Sequence, residues 1–456
     1  MQLLRVWLNQ FVPPSLYGGA TAWPAVSKID AGIRGCECAE AAVSVLDRAR
    51  PELYGRLRRG FSDPVAQALT LKILNIFLAR YHFSARSAQL LSRPIGLVVD
   101  PSNMCQLACP GCVHSERSER LKIFDWRKGT LPEDRMAALL KLYGPHAIGV
   151  YFCNYGEPLL NLNTPELVRR AKHYLLWTAL STSLSVQRFD AEAYVQSGLD
   201  FMVISIDGAT QPVYERFRRN GKLDLVLENI RKLVRAKRKL RRRNPVLSWN
   251  FLAFEHNQHE IPLAARTARR LGVNQFRVVN PFDVGWDDEA IRPAAVRSGV
   301  RRLDWFSMSN LPENWNPFPD GVDASAIASA FDRPWSTETA RETGMNPGHT
   351  CHWLYKNMVM DATGRIMPCC GAPRPDADLV FANFDGGGDP FNSDKYRRAR
   401  SSFTGDPAQP AGDLYCSRCE WDQTTVNIGG TEIRRYFRAA DPAFFDRRSL
   451  RLLSAW

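Results

Sequence analysis

The sequence predicts an α/β protein whose centre is a parallel sheet. Two observations carry this. From residue 95 to about 282, short apolar runs alternate with amphipathic stretches, strand then helix, repeated. The connections between them are short, which implies a parallel sheet with right-handed crossovers.

Taken in order, the candidate strands are Gly96–Asp100, Ile148–Cys153, Thr178–Thr182, Phe201–Ser205, Leu247–Phe254 and Gln275–Val279. The helical stretches between them are Glu133–Tyr143, Pro165–Leu176, Ala191–Ser197, a pair spanning Pro212–Arg242, and Glu260–Leu271. Thr164, Pro165 and Glu166 together read as a helix start: a capping oxygen, a fixed φ and a negative charge near the dipole. The run Arg231–Arg243 carries much of the net charge of +13. At helical spacing it leaves Ile230, Leu233, Val234 and Leu240 for a buried stripe, so it reads as an amphipathic helix with a basic outer face. A nucleic-acid, acidic-peptide or anionic-lipid partner is electrostatically feasible there, but no interleaved aromatics mark a base-stacking platform, and nucleic acid is not the expected partner.

A chain of 456 residues is long for one core, and two or three domains are expected. Residues 1–94 form an N-terminal extension with a helix predicted at Val65–Tyr81 and a Cys36/Cys38 pair read as structural or incidental. Residues 95–307 form the core, 308–350 a linker rich in Pro, Asn and Asp, 351–425 a second cysteine-bearing unit, and 426–456 a tail. Eleven cysteines spread over this length do not resemble a secreted disulfide scaffold. They cluster at metal-like spacings, which points to a reducing, cytoplasmic setting. No apolar run approaches the ~20 residues of a membrane span, and the N-terminus is too polar for a signal peptide.

The chemistry concentrates in Asn103-Met-Cys-Gln-Leu-Ala-Cys-Pro-Gly-Cys112, directly after the first strand. Barrel-type sheets place their chemistry on such loops. Cys105, Cys109 and Cys112 make a C-x3-C-x2-C loop. Three thiolates on one loop can hold three corners of a [4Fe–4S] cube and leave the fourth iron open to a chelating cofactor. The alternative is a zinc knuckle, but structural zinc takes four closed ligands. The spacing resembles the signature of the radical S-adenosylmethionine (radical SAM) superfamily. The six strand–helix units then resemble the partial (β/α)6 TIM-like barrel of that superfamily's core.

Three further segments resemble cofactor-handling motifs of the superfamily. Strand two ends in Asn154-Tyr-Gly-Glu-Pro158, similar to the "GGE" motif. The resemblance implies that Gly156, Glu157 and Pro158 receive the methionine amino group. Strand three ends in Leu180-Ser-Thr-Ser183, where Ser181 and Thr182 offer hydroxyls to a polar ligand. Strand four ends in Ser205-Ile-Asp-Gly208, which resembles an "S-x-D-G" segment. By that resemblance Ser205 lies near the methionine carboxylate or ribose and Asp207 orders the turn. The arginines that follow, among Tyr214-Glu-Arg-Phe-Arg-Arg219, can pair with the carboxylate. Helix capping is the competing use of each of these hydroxyls and carboxylates. One departure stands out: the family's aromatic residue before the third cysteine is Gly111 here, so adenine packing must come from elsewhere.

Cys351 to Cys369 reads as a hairpin turned by Asp361-Ala-Thr-Gly364, which carries both cysteines to one side. Cys416 and Cys419 follow as a C-x2-C pair. The pattern resembles the Twitch domain, the shortened SPASM domain, and implies that Cys351, Cys369, Cys416 and Cys419 hold an auxiliary [4Fe–4S] cluster. Zinc on the same four residues is the rival. The expected architecture is thus a partial barrel with a small cysteine-rich β-hairpin/helix domain and a largely helical N-terminal extension. Cys153 and Cys370 are left over, and a Cys153 thiol facing the lumen could donate a hydrogen atom to a substrate radical.

The resemblance implies an enzyme that cleaves S-adenosylmethionine reductively, using two [4Fe–4S] clusters. The 5′-deoxyadenosyl radical so formed takes a hydrogen atom from substrate. It also implies a reducing partner such as flavodoxin or ferredoxin, and an auxiliary cluster accepting an electron in a dehydrogenation or other oxidative modification. A peptide maturase that crosslinks or epimerises residues is the alternative. A non-catalytic zinc or nucleic-acid-binding protein is a more distant one.

Overall fold

The computed structural model describes residues 86–115, 127–279, 288–294, 353–370 and 379–402, with single positions 75, 79, 82, 83, 281, 351, 414 and 416. The first apolar runs form β1 (Gly96–Val99), β2 (Gly149–Phe152), β3 (Trp177–Thr182), β4 (Phe201–Ser205), β5 (Val246–Leu252) and β6 (Gln275–Val279). Between them lie α1 (Glu133–Tyr143), α2 (Thr164–His173), α3 (Ala191–Gln196), α4 (Gln211–Phe217), α5 (Leu223–Lys239) and α6 (Ile261–Leu271). Each of these strands runs parallel to the next. Strands covered on both faces need apolar residues throughout rather than in alternation, and all four residues of β1 are buried.

Three further strands complete the sheet: β7 (Asn357–Met360), β8 (Arg365–Met367) and β9 (Ala382–Asn383). The order is β6-β5-β4-β3-β2-β1-β7-β8-β9. Among the described residues β6 and β9 stand at the two ends, so the sheet is open, a partial barrel. The β7–β8 pair is the inner part of the hairpin read over Cys351–Cys369, whose first arm is helical at Trp353–Lys356 before the strand begins; β7 lies parallel to β1, with Gly96 opposite Asn357. The hairpin therefore shares the barrel's own sheet. Its turn is built by Asp361, whose carboxylate accepts from the Thr363 and Arg365 amides at 2.8 and 3.0 Å. Gly364 stands there at φ +94°, a conformation that disfavours a Cβ.

The helices pack their apolar stripes on the sheet. On α5, Leu223, Val226, Ile230, Leu233 and Ala236 are buried at 3–4 residue spacing. Val234 and Leu240, expected in that stripe, are half-buried, while Arg231, Arg235, Arg238 and Lys239 face solvent. The core also holds Phe152, Leu180, Met202 and Trp249, all fully buried, and each such side chain contributes about 1.5–3 kcal/mol.

Two local expectations need correction. Thr164 is the first helical residue of α2, not its cap; Asn163 precedes the helix, and the Thr164 hydroxyl donates to the Pro158 carbonyl at 2.7 Å. That bond ties the helix to the turn after β2. Strand β5 ends at Leu252 rather than Phe254, because Asn257 captures the chain there. Its amide donates to the Leu252 and Asp207 carbonyls, both at 2.9 Å, and its oxygen accepts from the Phe254 amide at 2.8 Å.

Of the helix predicted at Val65–Tyr81, the described positions Asn75 and Ala79 are helical. The rest of that segment, the Cys36/Cys38 pair, the 308–350 linker, Cys419 and the 426–456 tail lie outside the described residues. Beyond the hairpin, α7 (Trp353–Lys356) and α8 (Asp394–Ser401) pack around a buried Arg400. Its guanidinium donates to the Leu354, Ala88 and Phe391 carbonyls at 2.9, 3.1 and 2.6 Å and lies over the Phe391 and Tyr396 rings. Among the described residues no helix is long and apolar enough to cross a membrane.

Candidate functional site

Parallel strands in register deliver their C-terminal ends to one edge, and the segments singled out in the sequence meet there. The loop after β1 carries the three cysteines. Its backbone is bonded to the turn after β2 by Glu157 N–H donating to Met104 O at 2.7 Å. Gln106 reaches the end of β3, donating to Ser183 Oγ at 3.1 Å and to Ser185 O at 2.9 Å. Ala108 N–H donates to Arg219 O at 3.2 Å, tying the loop to the turn after α4. His114 Nε2 is 2.8 Å from Tyr155 O.

Gly156 is needed for a reason the sequence does not show. A Cβ at this position would stand 1.8 Å from Ser102 O and 2.8 Å from Asn103 Cα, so the two backbones touch where the cysteine loop begins. Glu157 is buried, and its carboxylate accepts from Thr182 Oγ1 at 2.5 Å, Ser183 N at 2.8 Å, Ser183 Oγ at 2.6 Å and Leu159 N at 3.2 Å. These four donors match the roughly four lone-pair positions of a carboxylate. A ligand ammonium arriving at Glu157 has to displace one of them. Burial holds its pKa above the usual range, and the hydrogen bonds from Ser183 and Thr182 offset part of that. Thr182 is thus turned onto Glu157. Ser181 is half-buried and within hydrogen-bond reach of the Tyr151 phenol, and Ser205 is half-buried at the end of β4. Pro158 opens a short 3-10 turn on which Glu157 acts as cap.

Asp207 is fully buried. One carboxylate oxygen accepts from Leu252 N at 2.6 Å, and the other from Arg218 Nε at 2.5 Å. Arg218 Nη1 in turn lies 3.8 Å from Cys109 Sγ. Burial works against the Arg218 charge, but Asp207 and Cys109 outweigh it, and the guanidinium is held charged. The arginine expected to meet a ligand carboxylate is therefore paired within the protein, and Arg219 pairs with Asp288.

Two of the loop thiols, Cys105 and Cys109, are pushed toward their neutral form in the metal-free chain. Burial and the Glu157 charge push Cys105 up. Burial pushes Cys109 up to about 11, with Arg218 pulling the other way. Metal binding would release these protons. Among the described residues no three Cys, His, Asp or Glu side chains converge as ligands of one metal ion. Ligands of a cluster need not, since each thiolate takes a different iron. The donor set is three thiols on one short loop beside a fixed guanidinium, and it suits a cluster.

Cys153 directly follows β2, among the site residues. Its thiol is 3.8 Å from Gly156 O, and burial together with Asp100, Glu157, Cys105 and Cys112 holds its pKa well above the ordinary value. On the far side of β1, Cys351, Cys369 and Cys416 all bear electrostatically on the buried Tyr396 phenol. Cys369 and Cys370 both bear on Tyr155, Cys370 also bears on Tyr151, and both pack with Cys351 on one apolar cluster of Val98, Trp353, Val359, Met367 and Leu379.

Sequence reasoning missed Asp100. Buried at the end of β1, it accepts from Asn154 N at 2.6 Å and Tyr155 N at 3.0 Å, shaping the turn that presents Gly156 and Glu157. An acid closing a wholly apolar strand was the available signal. Gln106 and Asn257 were also missed, and neither belongs to a motif.

Residues 99–244 match the family model described as the Radical SAM superfamily. Two curated relatives are similar to parts of the chain. The PqqA peptide cyclase of Granulibacter bethesdensis is 25% identical over 42% of this chain and 49% of its own. That of Gluconobacter oxydans is 26% identical over 45% of this chain and 55% of its own. The chain thus spans about half the length of the curated relatives it matches. Among solved structures, Streptococcus suis SuiB bound to S-adenosylmethionine aligns with a TM-score of 0.42 and 14% identity, over 85% of this chain and 78% of that one.

Proposed function

We propose that this protein is a radical SAM enzyme that modifies a peptide substrate by a net oxidation. The observation that carries the catalytic reading is the cysteine loop after β1, bonded to the ends of β2 and β3 and to the turn after α4. Cys105, Cys109 and Cys112 would hold a [4Fe–4S] cluster with one open iron. When bound, that cluster and S-adenosylmethionine supply the electron and the carbon radical that removes a substrate hydrogen atom.

The chain's own residues provide the enclosure. The backbone of Asn154–Gly156, shaped by Asp100, faces the loop beside Glu157 and Pro158. Ser181, Thr182, Ser205 and Asp207 form the strand ends around it. Gly111 leaves adenine packing to other residues. Phe254, stacked on His256 at 5.5 Å and 4.5 Å from Phe217, supplies apolar surface beside Cys109.

The peptide reading rests on the relatives' name, PqqA peptide cyclase. An auxiliary cluster on Cys351, Cys369, Cys416 and Cys419 would provide the electron acceptor that a net oxidation needs. The nearness of the first three cysteines to the Tyr396 phenol supports that set. A flavodoxin or ferredoxin would supply reducing electrons, and a reducing cytoplasm suits such sites.

The test is iron, acid-labile sulfide and zinc on anaerobically reconstituted Cys105/Cys109/Cys112→Ala protein, alongside 5′-deoxyadenosine release by the unaltered chain. About four iron and four sulfide in the variant, with release only by the unaltered chain, is the expected result. Zinc alone in the variant would remove the acceptor. No 5′-deoxyadenosine from the unaltered chain would remove the activity.

A further inference from the structure

Arg218 and Asp207 form a buried ion pair at 2.5 Å whose cation also meets a cysteine sulfur of the loop. As a stabilising device such a pair is weak, because desolvation cancels most of the attraction and apolar residues of the same volume would serve as well. Nor does the loop need Arg218 to stay in place. Ala108 N–H is bonded to Arg219 O, and Phe217 packs with Leu107, Cys109 and Phe254 in one apolar cluster. Asp207 holds the guanidinium at Nε, which leaves Nη1 aimed at Cys109 Sγ.

We infer that Arg218, gripped by Asp207, is a fixed positive charge directed at the Cys109 thiolate that sets the reduction potential of the cluster held by the loop. This rests on the reading that Cys105, Cys109 and Cys112 bind a [4Fe–4S] cluster. Hydrogen bonds to the ligand sulfurs and local net charge are the levers a protein has on such potentials. Reduction adds a negative charge, and a nearby cation in a poorly screened site favours it. Arg218 therefore raises the potential. Asp207, one residue farther from the sulfur, lowers it by a smaller amount while fixing the geometry. Both are positioning residues, since they act through Cys109.

The experiment is a potentiometric titration of the anaerobically reconstituted full chain, following the electron paramagnetic resonance signal that changes on adding S-adenosylmethionine, after iron and sulfide are counted. Arg218→Gln should retain iron and titrate at a lower midpoint, with the reduced-to-oxidised ratio at the wild-type midpoint falling about tenfold, 59 mV for one electron. Asp207→Asn should move the midpoint the other way by less, and the double variant should lie between Arg218→Gln and the wild-type value. Arg218→Lys should keep most of the effect. Opposite signs are what a merely structural role cannot give.

Unchanged midpoints in both single variants at full iron content would overturn the inference, as would shifts of the same sign. Should Arg218→Gln lose its iron, retention by Arg218→Lys would support a charge acting on the thiolate. Equal loss from both would overturn it. A wild-type chain that takes up no S-adenosylmethionine-responsive cluster would instead refute the cluster reading, and this inference with it.

Discussion

Replacing Gly156 with alanine probes the closest approach in the site. The added Cβ would meet Ser102 O at 1.8 Å, Ser102 C at 2.6 Å and Asn103 Cα at 2.8 Å. All three are backbone atoms, so no rotamer change relieves the clash. To bring the first contact to the 3.0 Å below which real Cβ atoms essentially never stand, the two segments must part by about 1.2 Å. The Glu157 N–H to Met104 O bond, 2.7 Å long and one residue away, cannot survive that separation. Overpacking costs about 1–3 kcal/mol and the lost hydrogen bond about 1 kcal/mol, so a destabilisation of about 2–4 kcal/mol is expected. Urea unfolding of the metal-free protein measures it as a lowered midpoint at constant slope. Iron uptake on reconstitution should fall as well, because the displaced segment is the start of the cysteine loop. A change under about 0.5 kcal/mol, within the range of ordinary surface substitutions, would refute the claim that this glycine exists for backbone contact.

Three other outcomes are expected. Burial pushes Asp100 up to about 7 from its ordinary value of 3.8, with its backbone hydrogen bonds opposing and Asp361 adding to the rise. The folded state therefore holds the proton more tightly, and this contribution to stability is complete below about pH 4 and lost as pH rises through 7. The span is about 4 kcal/mol at most, and Asp100→Asn should flatten that part of the pH profile in urea melts at pH 5 and 8. Arg400→Met should destabilise by about 3 kcal/mol or more, since it strips two buried carbonyls and one part-buried one of a charged donor; a thermal melt within a degree of wild type would contradict it. Cys153→Ala should leave product formation intact if the reaction is a net oxidation; loss of product with 5′-deoxyadenosine release retained would point to epimerisation with Cys153 as hydrogen donor.

The six strands and the cysteine loop were legible because their signals are local. A strand covered on both faces must be apolar throughout, and β1 to β4 lie within a residue or two of the predicted runs. What was not legible depends on contacts between distant segments. Parallel pairing of β7 with β1 leaves no mark in either strand, although it seats the hairpin in the barrel's sheet. The Asn257 bonds that end β5 reach back to Asp207, and Gln106 reaches forward to Ser183 and Ser185. Glu157 and Asp207 were found as motif positions, but their partners were not: both carboxylates are committed to protein donors.

Those commitments follow one rule around the sheet edge. At the end of β1, Asp100 accepts from Asn154 and Tyr155 amides beyond β2. Just past β2, Glu157 accepts from the Ser183 amide beyond β3. Just past β4, Asp207 accepts from the Leu252 amide at the end of β5. Each buried carboxylate takes an amide of the next strand at the point where the ladder stops. An amide left bare there would cost about 1–3 kcal/mol. A hydroxyl or an asparagine oxygen would answer the same need at lower desolvation cost, so the choice of acids has to be explained by something else. Burial pushes the Cys105 and Cys153 thiols up and the Glu157 charge adds to the rise, so the site resists further negative charge. Such a site favours cationic occupants. S-adenosylmethionine, with a sulfonium and an ammonium group, has that character, and Arg218 at Cys109 supplies a cation from the protein itself. Asp100→Asn and Glu157→Gln should then weaken S-adenosylmethionine binding, measured by calorimetry on the reconstituted protein, more than that of its neutral-sulfur analogue S-adenosylhomocysteine. Equal losses for both ligands would mean that the carboxyls serve the backbone alone.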